Sequence, residues 1–228
     1  MEPIITAFLA VHIVSGTGAL FCGALPIFAP KRKGFHTRWG KCFAACMWGV
    51  LGSAIVLTLI SRNAYFAALT TSATLGCFSG LRALRRKRPD VRQDDRATGL
   101  DWAVTIAALG VALLLAGLQV QGHVKGTPAV VWSLLAGAFV VGGYDLLRFA
   151  FPAAWPFFPR LWFYEHLVKI LTSYAAVLSA FSGSIAFRFL PDPWKQLWAP
   201  IAVQILILGM ILWYARQNRR RASAAAGG

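Results

Sequence analysis

Long apolar runs set the strongest limit on what this chain can fold into. A helix that crosses the hydrocarbon core of a bilayer needs about 20 mostly apolar residues, and seven stretches meet this requirement. They are approximately residues 4–29, 40–61, 64–83, 99–121, 128–148, 161–189 and 197–215. Because lipid offers no hydrogen-bond partners, each spanning run must satisfy its own backbone as an α-helix. The sequence therefore predicts an all-α, polytopic bundle of about seven transmembrane helices.

The composition agrees with this class. The chain is 57% hydrophobic and 14% charged, values that exclude an ordinary soluble domain. We predict one transmembrane domain over residues 1–221 and a low-complexity, disordered tail over 222–228. The first apolar run follows Glu2 without a basic stretch and is too long for a signal sequence, so we expect no cleaved signal peptide.

The basic residues indicate how the helices are oriented. If the N-terminus is outside, 18 of the 23 Lys and Arg residues fall on the cytoplasmic side. These are Lys31, Arg32, Lys33, Arg38, Lys41, Arg82, Arg85, Arg86, Lys87, Arg88, Arg92, Arg96, Arg148, Arg160, Arg216, Arg219, Arg220 and Arg221. The other side receives Arg62, Lys125, Arg188 and Lys195, and Lys169 lies inside a helix. The asymmetry predicts an outside N-terminus and a cytoplasmic C-terminus. In this topology the basic residues behind the net charge of +15 contact anionic lipid headgroups, and we expect no nucleic-acid partner.

Ionisable residues cluster near the cytoplasmic ends of the fifth and sixth runs. Asp145 and Arg148 are three residues apart, and a second pair, Glu165 and Lys169, is four apart. Both spacings place opposite charges on one helical face, which favours neutralised pairs within each helix. The alternative is that both carboxylates and Lys169 converge with His166 on a cytoplasm-facing cavity. Such a cavity would bind a small polar ligand, an ion or a proton.

Three further polar residues have two interpretations each. Thr98 and Asp101 match a capping box at a helix start, although Asp101 also shares the inner leaflet with the cluster. His36 lies in a basic stretch just before the second run, where it either contacts lipid phosphates or joins His166 as a second ligand. His12, alone in an apolar run, indicates a histidine that is hydrogen-bonded to a neighbouring helix, with a ligand as the alternative.

A haem or metal site is the second class of function that the histidines allow. His36 with His166, or His12 with His123, share a leaflet, whereas His12 and His166 lie at different depths. The sequence has no CxxCH motif, so any haem b would be held non-covalently. GxSxG, HExxH and phosphate-binding glycine motifs of soluble enzymes are also absent. A third possibility is a scaffold or assembly subunit whose charged pairs only fix helix register.

Small residues and cysteines have packing interpretations. Ser15, Ala19 and Gly23 recur every fourth residue on the first run. A second stripe, Ala45, Gly49 and Ser53, has the same spacing. Such stripes let helix backbones approach, so the first two helices are expected to pack through them. The cysteines, Cys22, Cys42, Cys46 and Cys77, all lie in apolar runs, and we interpret them as small core residues.

Five segments carry a resemblance to a known family. They are HIVSGTGALFCG in the first run, GFHTRWGKCF entering the second, DWAV opening the fourth, GGYDLLRF closing the fifth and EHLVKILTSYAAVLSAF in the sixth. Together they resemble a bacterial family of multi-pass membrane proteins that is classified as a domain of unknown function. The family's sixth segment usually has Arg-Met after its histidine and then Thr-Ala-Phe, where this chain has Lys169, Ile170 and Ser179.

The resemblance implies a bacterial inner-membrane location. It also implies that His12, His36, Asp145 and His166 are the positions to test, and it implies no activity.

Overall fold

The computed structural model of the chain describes residues 2–29, 34–124, 128–154, 157–182, 191 and 194–226. The described residues form seven α-helices and no β-strand, which confirms the all-α class. The helices are α1 (Glu2–Phe28), α2 (Phe35–Ser61), α3 (Ala64–Ala83), α4 (Gly99–Val120), α5 (Pro128–Ala150), α6 (Leu161–Phe181) and α7 (Trp194–Ala226). A single 3-10 turn, Gln93–Asp95, precedes α4.

The start of α2 differs from the prediction in a way that affects the site. Helix α2 begins at Phe35, so His36 lies in its first turn and the prediction that it precedes the helix is wrong. Gly34, with a φ of 111°, turns the chain into the helix, a conformation that glycine adopts without steric cost. Arg38 and Lys41, which belong to the basic stretch, lie inside this helix with exposed side chains. Both residue types are good helix formers.

The last two helices also end elsewhere than predicted. Helix α6 ends at Phe181, and residues 183–189 of its predicted run lie outside the described residues. Helix α7 continues to Ala226, into the stretch 222–228 for which the low-complexity sequence predicts a disordered tail.

Four helices of the described chain, α1, α2, α4 and α5, are long and apolar enough to cross a membrane. Helix α6 has 21 residues, but Glu165, His166 and Lys169 lower its hydropathy. These polar residues face neighbouring helices, where they have partners, as the next subsection shows.

Helix α3 lies at the centre of the bundle. It packs against α2, α4, α5 and α6, and α6 in turn packs against α1 and α7. Three apolar cores result. One joins α1, α2, α3 and α6 around Met47 and Cys77; a second joins α3, α4 and α5 around Leu135; a third joins α6 and α7 around Leu171.

The predicted packing of α1 against α2 through small residues is confirmed. Ala19 and Gly23 are buried, and a side chain at Gly49 would collide with Ser15. Helices α3 and α6 approach just as closely, because a Cβ at Gly80 would lie 2.9 Å from Ile170 Cγ1. The second close approach positions the residues described next.

Candidate functional site

A buried ion pair joins α5 and α6. Asp145 is fully buried, and Lys169, 4% exposed, places Nζ 2.5 Å from Asp145 Oδ1. Ser79 of α3 closes the contact, because its hydroxyl donates to Asp145 and accepts a hydrogen bond from Lys169 at 2.9 Å. A charge taken out of water costs several kcal/mol unless it is paired, so this three-helix contact satisfies both buried charges.

The charged residues of α5 and α6 form ion pairs from one helix to the other, so the prediction of pairs within each helix is wrong. Asp145 pairs with Lys169 of α6 instead of Arg148, which lies three residues along its own helix. Glu165 of α6 has Arg148 of α5 as its ionic partner, with Nε 3.6 Å from Oε1. Both helices turn their charged side chains toward each other, and the closest opposite charge is therefore on the neighbouring helix.

Asp101 has both of the roles considered for it. The predicted capping box is present, with Thr98 and Asp101 bonded to each other's backbone. The carboxylate, which is fully buried, also accepts two hydrogen bonds from Arg82, at 2.8 and 2.6 Å. Such a bidentate contact is among the stronger charge-assisted hydrogen bonds. Asp101 therefore ties the start of α4 to the end of α3.

Arg86 connects Asp101 to the buried pair. One nitrogen donates to Asp101 Oδ1 at 3.2 Å, and another lies 3.9 Å from Asp145 Oδ1. Its guanidinium carbon is 4.7 Å from the centre of the Phe149 ring. Three cations and two carboxylates thus form one network with one positive charge in excess; Arg86 comes from the segment after α3, and the other four residues come from α3, α4, α5 and α6.

Glu165 lies at the edge of the network and holds the connection after α5. Tyr144 donates its hydroxyl to Glu165 at 2.7 Å. Arg148, the ionic partner of Glu165, donates to the carbonyls of Phe151 and Ala154 at 3.3 and 3.4 Å. The connection between α5 and α6 is rich in proline and aromatic residues. Its first residues are therefore attached to Arg148, the ionic partner of Glu165.

His166 faces away from the ion pair and contacts the backbone of α3. Its Nδ1 lies 2.9 Å from the Gly80 carbonyl oxygen, which can only accept, so Nδ1 carries the proton. In a continuing helix this carbonyl would accept a hydrogen bond from the amide of Leu84. At the end of α3 that amide donates to the Leu81 carbonyl instead. The hydrogen bond orients the ring and leaves the lone pair on Nε2.

His36 is held in the same way. Its Nδ1 lies 3.1 Å from the carbonyl oxygen of Pro26 in the last turn of α1. The residue four positions on is Pro30, which has no N–H to donate to that carbonyl. His36 supplies the donor instead, and its lone pair is therefore also on Nε2.

Both histidines line one cavity of about 240 Å³ between α1, α2, α3, α6 and α7. Its polar lining residues are His36, Thr37, Lys41, His166 and Tyr174. Its walls are mainly apolar, with Phe43, Leu81, Phe163, Ile170, Leu171 and Met210 among them. The structure thus brings together the two histidines that the sequence could place only in the same leaflet.

His12 and His123 have separate environments. His12 Nδ1 lies 3.1 Å from Ser53 Oγ, and the Ser53 hydroxyl donates to carbonyls of its own helix, so it accepts from His12. The expected hydrogen bond to a neighbouring helix is therefore present. His12 lines a second cavity of about 210 Å³, whereas His123 is exposed after α4, 3.2 Å from Gln121 Oε1.

Several residues that contact the buried charges were not singled out from the sequence. Arg82 and Arg86 counted only as topology signals, and Ser79 and Tyr144 carried no signal at all. The three-residue spacing of Ser79 and Arg82 places both on one face of α3, and this spacing is the signal that could have identified them.

No protein-family model, curated protein or solved structure matches the chain.

Proposed function

We propose that this chain is a multi-pass membrane protein that binds a small ligand in the cavity lined by His36 and His166. The observation that carries the proposal is that two histidines, held by separate backbone carbonyls, line the same cavity. In the proposed topology seven helices cross the inner membrane of a bacterium, with the N-terminus outside and the C-terminus in the cytoplasm. The cavity then opens in the cytoplasmic leaflet, where Lys41 lies beside the headgroups.

The lining of the cavity indicates the ligand's chemistry. The imidazole rings of His36 and His166 bring hydrogen-bonding and metal-binding nitrogens to the cavity lining, and Lys41 adds a positive charge. The surrounding aliphatic and aromatic side chains favour an apolar body. The best match is a small amphiphile whose polar head contacts the histidines.

The buried network has a supporting role in this proposal. Ser79, which bonds to Asp145 and Lys169, is the neighbour of Gly80, whose carbonyl holds His166. The ion pair therefore fixes the segment of α3 that orients the histidine ring.

Non-covalent haem b is the second candidate ligand. Histidines that coordinate metals commonly donate their other ring nitrogen to a backbone carbonyl, which fixes the tautomer. Both His36 and His166 have this arrangement. In this alternative the imidazoles of His36 and His166 would hold the haem, and the protein would be a membrane redox protein.

Native mass spectrometry of the full chain, purified in mild detergent from bacterial membranes, tests the proposal. We expect a bound small molecule that denaturation releases. Replacement of either histidine, His36→Ala or His166→Ala, is expected to raise the Kd of this molecule at least about 10-fold, which corresponds to about 1.4 kcal/mol, and so to lower the bound fraction. The matched control is His123→Ala, an exposed histidine outside the cavity, which is expected to retain it.

An absorption spectrum of the same preparation separates the two ligand classes. A Soret band that disappears in His36→Ala and His166→Ala would identify haem. A wild-type protein with neither a bound molecule nor a Soret band would contradict the proposal, as would equal occupancy in all variants.

A further inference from the structure

Three thiols from two helices meet at the interface of α1 and α2. They belong to Cys22 of α1 and to Cys42 and Cys46 of α2, and their sulfur atoms all lie within 4.8 Å of one another. The sulfurs of Cys22 and Cys42 are 2.8 Å apart. The sequence alone places Cys42 and Cys46 on one face of a helix. The packing of α1 against α2 adds Cys22 to this pair.

The opposing helix leaves room for this cluster. A Cβ at Gly18, one turn before Cys22, would lie 2.9 Å from Cys46 Sγ. Glycine at this position therefore lets the third sulfur approach α1. Cys77, the remaining cysteine of the chain, is fully buried on α3 and does not belong to the group.

The ligand set is all sulfur. Thiolates select soft cations such as Cu(I), Zn(II) and the irons of clusters. Structural zinc almost always has four protein ligands, whereas the metal-ligand group found in the described residues has three thiols and neither imidazole nor carboxylate. We propose that Cys22, Cys42 and Cys46 form a binding site for a single Cu(I) ion.

The geometry requires only side-chain adjustment. Three sulfurs that each lie about 2.3 Å from one ion are about 4 Å apart. The observed separations, from 2.8 Å to at most 4.8 Å, bracket this value. We expect rotation about χ1 of Cys22 or Cys42 to bring the sulfur separations closer to this value.

The charge and access of the site also fit a cation. Binding releases thiol protons to solvent, so the bound cluster carries negative charge. Arg38 lies one turn before Cys42 on the same face of α2, where its cation offsets that charge. Cys42 and Cys46 are half-buried.

This site is separate from the histidine cavity and is tested without it. The full chain, reduced and purified anaerobically in detergent, is titrated with Cu(I) against a chromogenic Cu(I) chelator. We expect one Cu(I) per chain. Replacing any one of the three thiols, as in Cys22→Ser, Cys42→Ser or Cys46→Ser, is expected to weaken Cu(I) affinity at least about 100-fold. Loss of a residue that only contacts a metal ligand typically weakens affinity by about 10- to 100-fold.

Two variants are matched controls. Cys77→Ser removes a buried thiol outside the cluster, and His166→Ala alters the other cavity; both are expected to bind Cu(I) like the wild type. Retained elution volume in size-exclusion chromatography shows that each variant is folded.

Three results would overturn the proposal. One is wild-type binding no tighter than that of the variant lacking all three thiols. Another is displacement of Cu(I) by an equal concentration of Zn(II). The third is a Cys22–Cys42 disulfide, detected by mass spectrometry, that persists under the reducing conditions of the titration.

Discussion

Asp145 and Lys169 each hold a charge in the dry interior of the bundle. Both side chains are buried, and the Ser79 hydroxyl is hydrogen-bonded to each of them. A buried pair of this kind adds little net stability over well-packed apolar residues. Removal of one partner is costly, however, because it leaves the other charge unpaired.

Lys169→Met is therefore expected to destabilise the protein by about 3–5 kcal/mol. The double variant Asp145→Asn with Lys169→Met is expected to be more stable than this single variant, because the buried side chain that loses Lys169 is then uncharged. Unfolding in mixed micelles titrated with SDS, followed by tryptophan fluorescence, measures both.

The matched control is Arg85→Met, which removes an exposed cation near the end of α3 and should change stability by no more than about 0.5 kcal/mol. If Lys169→Met unfolds at the same SDS fraction as the wild type, the pair is not buried as described.

Helices α3 and α6 form the element pair on which the candidate site depends. Gly76 and Gly80 let the two backbones approach, and a Cβ at Gly76 would lie 3.4 Å from the Lys169 carbonyl oxygen. The same approach brings Gly80 to His166 and Ser79 to Lys169. Small residues are the usual means of close helix packing in membranes, where apolar burial supplies no driving force between helices.

Gly80→Ala is expected to lower the thermal midpoint. Its Cβ would lie 2.9 Å from Ile170 Cγ1 and 3.1 Å from the Ile170 amide nitrogen, and overpacking of this kind costs about 1–3 kcal/mol. Differential scanning fluorimetry in detergent measures the change.

Gly110→Ala is the matched control in α4, where nothing lies within 4 Å of an added Cβ. There alanine's helix propensity should raise stability by about 0.5–1 kcal/mol. Opposite signs for the two variants would support the close approach, and equal effects would contradict it.

The contacts across the whole molecule agree with a chain that alternates direction. The last turn of α1 meets the first turn of α2 through Pro26 and His36, and the end of α3 meets the start of α4 through Arg82 and Asp101. These four ends are the ones that the distribution of basic residues assigns to the cytoplasm. The polar network and the histidine cavity then lie in the same leaflet.

Reporter fusions test this topology. Green fluorescent protein fused after Gly228 is expected to fluoresce, because the positive-inside rule places the C-terminus in the cytoplasm. Alkaline phosphatase fused after Gly122 is expected to be active, and a fusion after Val91 to be inactive. Phosphatase activity at Val91 and none at Gly122 would reverse the orientation.

The sequence by itself determined the helical class, the helix positions, the α1–α2 stripe and the Thr98–Asp101 capping box. Each follows from local physics: the length of an apolar run, the spacing of small residues along one helix, or a cap at its start.

Only the tertiary structure decided which groups meet. Asp145 pairs with Lys169 rather than Arg148, His166 reaches Gly80, which is 86 residues away, and Cys22 joins Cys42. These contacts depend on which helices are neighbours and how each is rotated about its axis. Packing between distant segments sets that rotation, and spacing within one helix does not identify which helix is its neighbour.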